Sequence, residues 1–361
     1  MLLLSLSALL LALLVDRWLG EPPVRWHPVV WMGNYLGWAG RQLQRQARPD
    51  GADYRSFWLG ALAWLGGAAM VIAAALAIEQ LAMTMPLVLA ALLLGLALKP
   101  LLAWRMLRTE VQAVEQALEQ SLPAGRERLS WLVSRDVSAL SEAGVRESAI
   151  ESLAENLNDS VVAPLFWFVL LGLPGAALYR FANTADAMWG YRGVYRGQRW
   201  EWAGKWAARV DDVLSWLPAR LTAGLLLLVA GGRGLRLAGV LRKEASKTPS
   251  PNGGWPMAAM ALVLGVTLRK PLVYGLNPAG REAQAVDTER AVAYAEKTLL
   301  ALMAVAVTAI IYVAARRLPR PPAASWCWAQ PVALARAGSP QRCAGITLAR
   351  ASRWRRSRRR T

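Results

Sequence analysis

Apolar residues occur in long blocks along this chain, separated by polar and basic stretches. Several blocks approach the roughly 20 residues that an α-helix needs to cross the hydrocarbon core of a membrane. The pattern predicts an all-α, polytopic membrane bundle with cytoplasmic helical loops. The apolar blocks are residues 1–15, 57–78, 81–98, 161–178, 221–230 and 299–313.

The first apolar block predicts a retained helix rather than a cleaved signal peptide. It has no basic segment before it, and Asp16, Arg17 and Trp18 follow it in place of a small-residue cleavage site.

Basic residues predict the orientation of the first hairpin. Four arginines after the first loop favour a cytoplasmic location by the positive-inside rule. Blocks 57–78 and 81–98 then form a hairpin with Glu79 and Gln80 at its tip, which returns the chain to the cytoplasm at Lys99. The four arginines are Arg41, Arg45, Arg48 and Arg55.

Residues 101–122 repeat apolar positions at helical spacing, which predicts an amphipathic cytoplasmic helix ended by Pro123 and Gly125. Its acidic residues, Glu110, Glu115 and Glu119, are interpreted as a solvated face.

Block 161–178 is unsuited to an ordinary span, because Pro164 and the run Gly-Leu-Pro-Gly at 172–175 interrupt it. Broken helices persist at membrane depth only where protein or a water-filled cavity satisfies the freed backbone groups. The basic, aromatic segment that follows is expected in the cytoplasm, so we predict a re-entrant hairpin here.

Three acids recur every fourth residue just before this broken segment. Glu151, Glu155 and Asp159 would lie on one face of a helix and repel one another. A cation or a row of basic side chains would offset that repulsion; a solvated acidic face is the alternative.

Two further acidic clusters follow on the same predicted side of the membrane. Asn183 and Asp186 share a helix face, whereas the adjacent Asp211 and Asp212 do not. Carboxylate and amide oxygens without His or Cys suit Mg²⁺, and arginines complement phosphate. These clusters predict a phosphate-handling site at the membrane surface; helix caps and interhelical ion pairs are the alternative.

Several nucleotide and hydrolase motifs are absent from the sequence: GxxxxGK[ST], GxGxxG after a strand, GxSxG and HExxH. If a nucleotide is used, carboxylate-bound metal and arginine are expected to hold its phosphates.

The formal net charge of +18 is concentrated near the C-terminus, because twelve arginines and no acidic residue occur from Arg316 onward. We predict a folded membrane domain at 1–315 and a disordered tail at 316–361 that lies against anionic headgroups and does not bind nucleic acid. Both cysteines, Cys327 and Cys343, belong to this tail, so no disulfide, thiolate nucleophile or cysteine metal site is expected elsewhere.

Several of these segments, in this order and spacing, resemble the CobD/CbiB family of cobalamin biosynthesis, the membrane-bound adenosylcobinamide-phosphate synthases. The resemblance covers about residues 9–313, and the Arg-rich tail does not match it. The segments are LLLALLVDRWLGEPPVRWHPVVWMGNYL, SRDVSALSEAG, ESLAENLNDSVVAPLFWF, FANTADAMWGYR, ARVDDVLSWLPARLTA and SPNGGWPMAAMALVLGV.

The resemblance implies a multi-pass inner-membrane ligase whose site faces the cytoplasm. Such an enzyme joins the free propionate of adenosylcobyric acid to aminopropanol or aminopropanol phosphate as an amide, using ATP. The implied cofactors are ATP and Mg²⁺, and other corrinoid-pathway enzymes are candidate partners.

The residues matching the family's motifs carry the predicted roles. Activation of the propionate, as an acyl phosphate, needs Mg²⁺ and positive charge, and the incoming ammonium needs a base. The metal candidates are Glu155, Asp159, Asp186 and Asp211. Candidate bases are Glu151, Glu155 and the only histidine, His27, although a His in a Pro- and Trp-rich loop is more often a packed residue. Phosphate and substrate candidates are Arg135, Asn156, Tyr191, Arg192, Arg209 and Asn252.

Two other classes remain open at this point. A Mg²⁺-dependent membrane prenyltransferase would use similar chemistry, but the two repeated DxxxD motifs typical of that class are missing. A non-catalytic corrinoid-binding scaffold or a transporter would also account for the membrane blocks and the polar clusters.

Overall fold

The computed structural model describes residues 2–44 and 51–317. The predicted tail from 318, with both cysteines, and the arginines Arg45 and Arg48 lie outside these ranges. Helices form nearly all regular structure in the described part. They are α1 (Leu2–Leu19), α2 (Pro28–Gln44), α3 (Tyr54–Met83), α4 (Leu87–Leu98), α5 (Trp104–Gln120), α6 (Leu122–Leu129), α7 (Glu142–Leu157), α8 (Ala163–Trp189), α9 (Lys205–Val229), α10 (Gly231–Ala245), α11 (Gly254–Leu264) and α12 (Ala285–Arg317).

Two short antiparallel hairpins occur in the connections between helices. β1 (Val194–Tyr195) pairs with β2 (Gln198–Arg199) between α8 and α9. β3 (Leu268–Lys270) pairs with β4 (Tyr274–Leu276) between α11 and α12. The second hairpin brings residues from the far end of the chain against α7.

Within the described residues, five helical segments are long and apolar enough to cross a membrane. The prediction of an all-α, polytopic membrane bundle is confirmed. The five segments are Tyr54–Met83, Leu87–Gln120, Glu142–Trp189, Lys205–Val229 and Ala285–Tyr312.

The predicted tip of the first hairpin is wrong. Glu79 and Gln80 lie inside α3, which continues to Met83, and the turn falls at Thr84, before Pro86. Glu79 can stay within the helix because its carboxylate accepts a hydrogen bond from the Leu173 amide at 2.7 Å. That contact depends on the tertiary fold.

The solvated face predicted for α5 is wrong at Glu115, which is 8% exposed. Helices α6, α7 and α12 pack on α5, and Glu115 forms an ion pair with Arg146 at 2.8 Å. Thr288 of α12 also donates a hydrogen bond to Glu115, at 2.8 Å. The predicted end of this helix near Pro123 is confirmed, since α5 ends at Gln120 and Pro123 lies in the first turn of the next helix, α6.

The chain reverses direction within α8. Gly172 has φ 69° and ψ −159°, a non-helical conformation that divides the helix into an outgoing limb and a return limb. The Tyr179 hydroxyl lies 3.4 Å from the Asp159 carboxylate. A continuous helix would separate these two residues by about 30 Å along its axis. The broken, re-entrant helix predicted from the sequence is therefore present.

The reversal is stabilised at its apex. Breaking the helix at Gly172 leaves the first amides of the return limb without partners inside the helix. Glu79 accepts the Leu173 amide, and Pro174, which has no amide hydrogen, occupies the next position. The apex therefore lies against the C-terminal end of α3.

We expect Gly172→Ala to destabilise the protein by about 1–3 kcal/mol, because this region of φ and ψ is essentially restricted to glycine. A Cβ at this position would also overlap the Glu79 carboxylate. Gly239→Ala is the matched control, since that glycine lies on α10 with open space around it. Thermal unfolding in detergent measures both; equal melting temperatures would contradict the strain assigned to the apex.

Candidate active site

A polar cavity of about 300 Å³ lies against α7. Its walls come from α7, the segment just before it, the connection between α10 and α11, and the β3–β4 hairpin. The polar side chains that line it include Arg135, Glu151, Glu155, Asn156, Lys270 and Tyr274.

Glu151 is held in a fixed position in this cavity. Arg135 forms an ion pair with it at 2.8 Å, and the Tyr274 hydroxyl donates a hydrogen bond to its other oxygen. Arg135 also donates to the Ser148 hydroxyl at 2.7 Å. The Glu151 carboxylate is thus neutralised by a guanidinium, an arrangement that suits an anchor for Arg135 better than a base.

Glu155, one turn further along α7, makes no ion pair with any described basic side chain. Lys270 attracts its carboxylate electrostatically, whereas Asp159, Glu151 and Asp186 repel it. Glu155 therefore lines the cavity and also interacts electrostatically with a second group of acids.

That second group, here called the acid cluster, consists of Asp159, Asp186 and Asp211. Asp159 and Asp186 both interact electrostatically with Asp211. The Asn183 side chain hydrogen-bonds both Asp159 and Asp211. Three segments that are distant in sequence thus place their carboxylates together, as their residue types indicated.

A π-helical turn, Asn158–Val162, positions the first member of the acid cluster. α7 ends at Leu157, so the stripe of three acids does not continue along one regular helix. The side-chain Nδ2 of Asn158 donates to the Asp159 carboxylate at 2.8 Å, and the Thr222 hydroxyl donates to the side-chain Oδ1 of Asn158 at 3.0 Å. Such wide turns occur frequently at functional sites.

Arg180 is a site residue that the sequence analysis missed. It donates to the Ser160 hydroxyl at 3.0 Å and toward the Asp159 backbone carbonyl at 3.4 Å. Its guanidinium also attracts the Asp159 carboxylate. An arginine flanked by apolar residues in a candidate span was the signal available, since charges in spans usually have a function.

Lys270 and Tyr274 were missed for a different reason. They lie more than 100 residues from Glu151 in sequence, in a short hairpin without a recognisable motif. Their place in the cavity follows only from the packing of this hairpin on α7.

The donor atoms of the acid cluster suit a hard cation such as Mg²⁺, because they are carboxylate and amide oxygens. One oxygen of Asp211 is buried without a hydrogen-bond partner in the described structure. In the described part of the chain, however, no three His, Cys, Asp or Glu side chains are arranged as a ready metal-binding set. The chemistry fits Mg²⁺, and the metal ligands stay a prediction.

His27 lies in a different group of charges. Its ring nitrogen Nε2 is 3.2 Å from Glu21, whose carboxylate is 2.7 Å from the buried Lys99 ammonium. Burial raises the pKa of Glu21, but hydrogen bonds from His27 and Lys99 outweigh it and lower that pKa below its ordinary value. The structure thus gives His27 a partner outside the acid cluster.

Two predicted substrate residues support the site. Asn156 lines the cavity, and its amide donates to the Ser152 carbonyl at 3.0 Å. Asn252 is buried; its amide donates to the Asp212 backbone carbonyl at 2.7 Å, and its carbonyl oxygen accepts from Arg220. Asn252 therefore fastens the α10–α11 connection to α9, beside the acid cluster.

The other predicted substrate residues, Tyr191, Arg192 and Arg209, do not line the cavity. Tyr191 stacks on Tyr195 with ring centroids 3.6 Å apart, and burial, with a smaller contribution from Tyr195, raises its pKa to about 12. Arg192 is exposed and attracts Asp212, and Arg209 is exposed on α9. Their roles toward a substrate stay predictions.

The fold and the site define a polytopic helical membrane protein with carboxylates gathered beside a polar cavity. Comparison with known families identifies the group: residues 9–305 match the model described as CobD/Cbib protein. The chain belongs to the CobD/CbiB family.

Curated relatives agree with this assignment. The cobalamin biosynthesis protein CobD of Chromobacterium violaceum is 44% identical over 270 residues, covering 73% of this chain and 81% of the relative. The corresponding protein of Brucella suis is 38% identical over 310 residues, with 80% and 91% covered. The probable CobD of Methanothermobacter thermautotrophicus is 38% identical over 289 residues, with 79% and 90% covered. No solved structure matches the chain.

We expect Glu21→Gln to lower the melting temperature at neutral pH. We also expect the melting temperature of this variant to fall less than that of the wild type as the pH is lowered. The pKa of Glu21 is lowered in the folded protein, so its stabilising contribution is present above the unfolded value of about 4.3 and is lost as pH falls through the folded value. Melting temperatures from pH 7 to pH 3 check this, with the exposed Glu119→Gln as control. A difference from the wild type that did not shrink in acid would contradict it.

Proposed function

We propose that this protein acts in cobalamin biosynthesis as an ATP-dependent ligase that joins the free propionate of adenosylcobyric acid to aminopropanol or aminopropanol phosphate. The observation that carries the proposal is the gathering of Asp159, Asp186 and Asp211 around Asn183, beside a cavity with a carboxylate and basic groups. Family membership supplies the pathway, and the site supplies groups that an amide-forming reaction needs.

The acid cluster would hold Mg²⁺ on the nucleotide. When bound, ATP would supply the phosphoryl group that makes the propionate a reactive acyl donor, and Mg²⁺ would neutralise the charge of the phosphates. The side chains of Asp159, Asp186 and Asp211 provide the negative charge that such a cation requires. Asn183 orients two of them by hydrogen bonding.

Glu155 is our candidate for the base. The amine arrives as an ammonium ion and must lose a proton before nitrogen can attack the activated carbonyl carbon. The Glu155 carboxylate takes one proton from the ammonium, which leaves a neutral amine. As the carbon–nitrogen bond forms and the bond from the carbonyl carbon to the phosphate oxygen breaks, the second proton passes from nitrogen to the departing phosphate. Glu155 is better suited than Glu151, which Arg135 already neutralises.

Arg135 and Lys270 provide the positive charge of the cavity. Glu151 and Ser148 fix the Arg135 guanidinium before any substrate binds, so little reorganisation is needed when negative charge develops. Lys270 forms no ion pair with a described acidic side chain and is available to an anionic group. Both charges would stabilise the phosphate that leaves.

We also propose that the protein lies in the cell's inner membrane with this site facing the cytoplasm, where ATP is available. The arginines before α3 support that orientation by the positive-inside rule. Other corrinoid-pathway enzymes are the proposed protein partners.

Glu155→Gln should reduce the rate of product formation by about 10²–10⁴-fold, the usual contribution of a general base. The assay uses the protein purified in detergent with adenosylcobyric acid, aminopropanol phosphate, ATP and Mg²⁺, and follows cobinamide product and ADP together. Glu119→Gln, an exposed change on α5, is the control and should retain full activity. Full activity in Glu155→Gln would exclude Glu155 as the base.

The same assay separates the ligase from the other classes. If the wild type forms neither a cobinamide product nor ADP but retains bound corrinoid, the protein is a scaffold or a transporter. With a prenyl diphosphate added to this assay, release of pyrophosphate without a cobinamide product would support the prenyltransferase alternative.

Removal of divalent cations with EDTA should abolish product formation, and added Mg²⁺ should restore it. Asp211→Asn should raise the Mg²⁺ concentration needed for half-maximal activity by at least about tenfold, because a charged ligand becomes neutral. Mg²⁺ titrations of wild type, Asp211→Asn and Glu119→Gln measure this. An unchanged requirement in Asp211→Asn would remove Asp211 from the metal site.

A further inference from the structure

A larger cleft lies beside the acid cluster, with a volume of about 870 Å³. The return limb of α8 separates the two. Leu173, Ala177 and Phe181 line the cleft at intervals of four residues, whereas Tyr179 and Asn183 point to the acid cluster. The cleft is therefore distinct from the proposed active site.

The walls of the cleft are apolar over most of its length. On α3 they extend from Gly67 through Val71 and Ala74 to Ile78. Those positions correspond to a length of about 16 Å along the helix. α3 is one of the candidate spans, and only 28% of its apolar window is buried inside the protein. An apolar cleft along a candidate membrane span that is mostly exposed suits an extended hydrocarbon chain.

The polar end of the cleft is formed by Glu21 and Lys99. The Lys99 ammonium is 2.7 Å from Glu21 and 3.4 Å from Asp16, and the His27 ring is 3.2 Å from the same Oε2 atom of Glu21. The Oε1 atom of Glu21 is buried without a hydrogen-bond partner in the described structure. Arg180 attracts Glu21, but it donates its hydrogen bonds to residues 159 and 160.

The unpaired oxygen of Glu21 indicates which chemical group a ligand would place at this end. A buried acceptor without a donor costs about 1–3 kcal/mol, and more where it carries charge. A ligand that brings a positively charged hydrogen-bond donor to Glu21 would remove that cost. A long apolar body with an ammonium at one end is therefore the chemistry that matches the cleft.

The mouth of the cleft has the features of a membrane interface. Trp26 and Trp31, which are 62% and 52% exposed, line it beside Pro22 and Pro23. Exposed tryptophans commonly lie at the level of lipid headgroups. A ligand from the bilayer could enter here with its headgroup at Glu21 and its chain along α3.

We propose that this cleft binds one aminophospholipid of the bilayer, with an acyl chain along α3 and the ethanolamine ammonium donating to the free oxygen of Glu21. A choline headgroup carries the same charge but has no N–H to donate, and a glycerol headgroup has no positive charge. The site should therefore distinguish phosphatidylethanolamine from both.

Native mass spectrometry of the full-length protein in detergent tests the proposal. The protein is incubated with an equimolar mixture of phosphatidylethanolamine, phosphatidylcholine and phosphatidylglycerol with identical acyl chains, and is then partly delipidated. We expect one retained phosphatidylethanolamine, preferred over each of the others by at least about fivefold. Equal retention of the three lipids would overturn the headgroup assignment.

Two matched variants locate the bound lipid. Ala74→Phe would fill the cleft and should abolish retention, whereas Ala73→Phe, on an exposed neighbouring position outside the cleft, should not. Equal retention by the two variants would overturn the location. A lipid-free dimer that Ala74→Phe disrupts and Ala73→Phe does not would show that a second copy of the chain occupies the cleft instead.

Glu21→Gln keeps the proposal testable if Ala74→Phe does not fold. The amide removes the negative charge but preserves the side-chain volume, so the variant should still retain a lipid while losing its preference for phosphatidylethanolamine. An unchanged preference would show that Glu21 does not read the headgroup. None of these measurements depends on the proposed ligase activity.

Discussion

The reversal of the chain at Gly172 determines where the acidic side chains of the site can lie. Asp159 precedes the outgoing limb of α8, while Asn183 and Asp186 belong to the return limb. Only a turn of the backbone between the limbs brings them together, since a continuous helix would place them on opposite sides of the bilayer. The non-helical backbone conformation of Gly172 thus allows the acidic side chains of the site to come together.

The basic side chains are distributed so that some acidic residues have a positively charged partner and others do not. Arg135 neutralises Glu151, Lys99 is shared by Asp16 and Glu21, and Arg180 lies beside Asp159. Glu155 has no such partner among the described residues. Adjacent turns of α7 therefore hold one carboxylate that a guanidinium neutralises and one that no described basic side chain neutralises.

Much of the architecture could be predicted from the sequence. Proline and glycine in block 161–178 indicated the broken helix, and the spacing of acids and amides indicated the residues of the acid cluster. The burial of Glu115 could not be predicted, because α6, α7 and α12 cover it only after folding. The same holds for Lys270 and Tyr274, whose place in the cavity depends on hairpin packing rather than on any local pattern.

Residue-level roles were the least predictable part. His27 was a candidate base because of its residue type, but its partners, Glu21 and Lys99, come from separate segments that meet only in the folded chain. Similarly, Arg180 was concealed by the apolar residues around it, and its contacts with residues 159 and 160 require the reversal of α8. Local spacing identifies which residues can carry charge, and tertiary contacts decide which charges remain available.

The two limbs of α8 also determine whether the number of membrane crossings in this part of the chain is odd or even. Because the chain leaves the level of Asp159 and returns to it, the pair adds an even number of crossings however deep the apex lies. The C-terminal ends of α7 and α8 therefore lie on the same side of the fold, where Asp159 and Asp186 interact. A change in limb length would preserve the orientation of α9 and α12, whereas loss of one ordinary span would invert every segment that follows. The apex is thus a place where the depth of the structure can vary without inverting its topology.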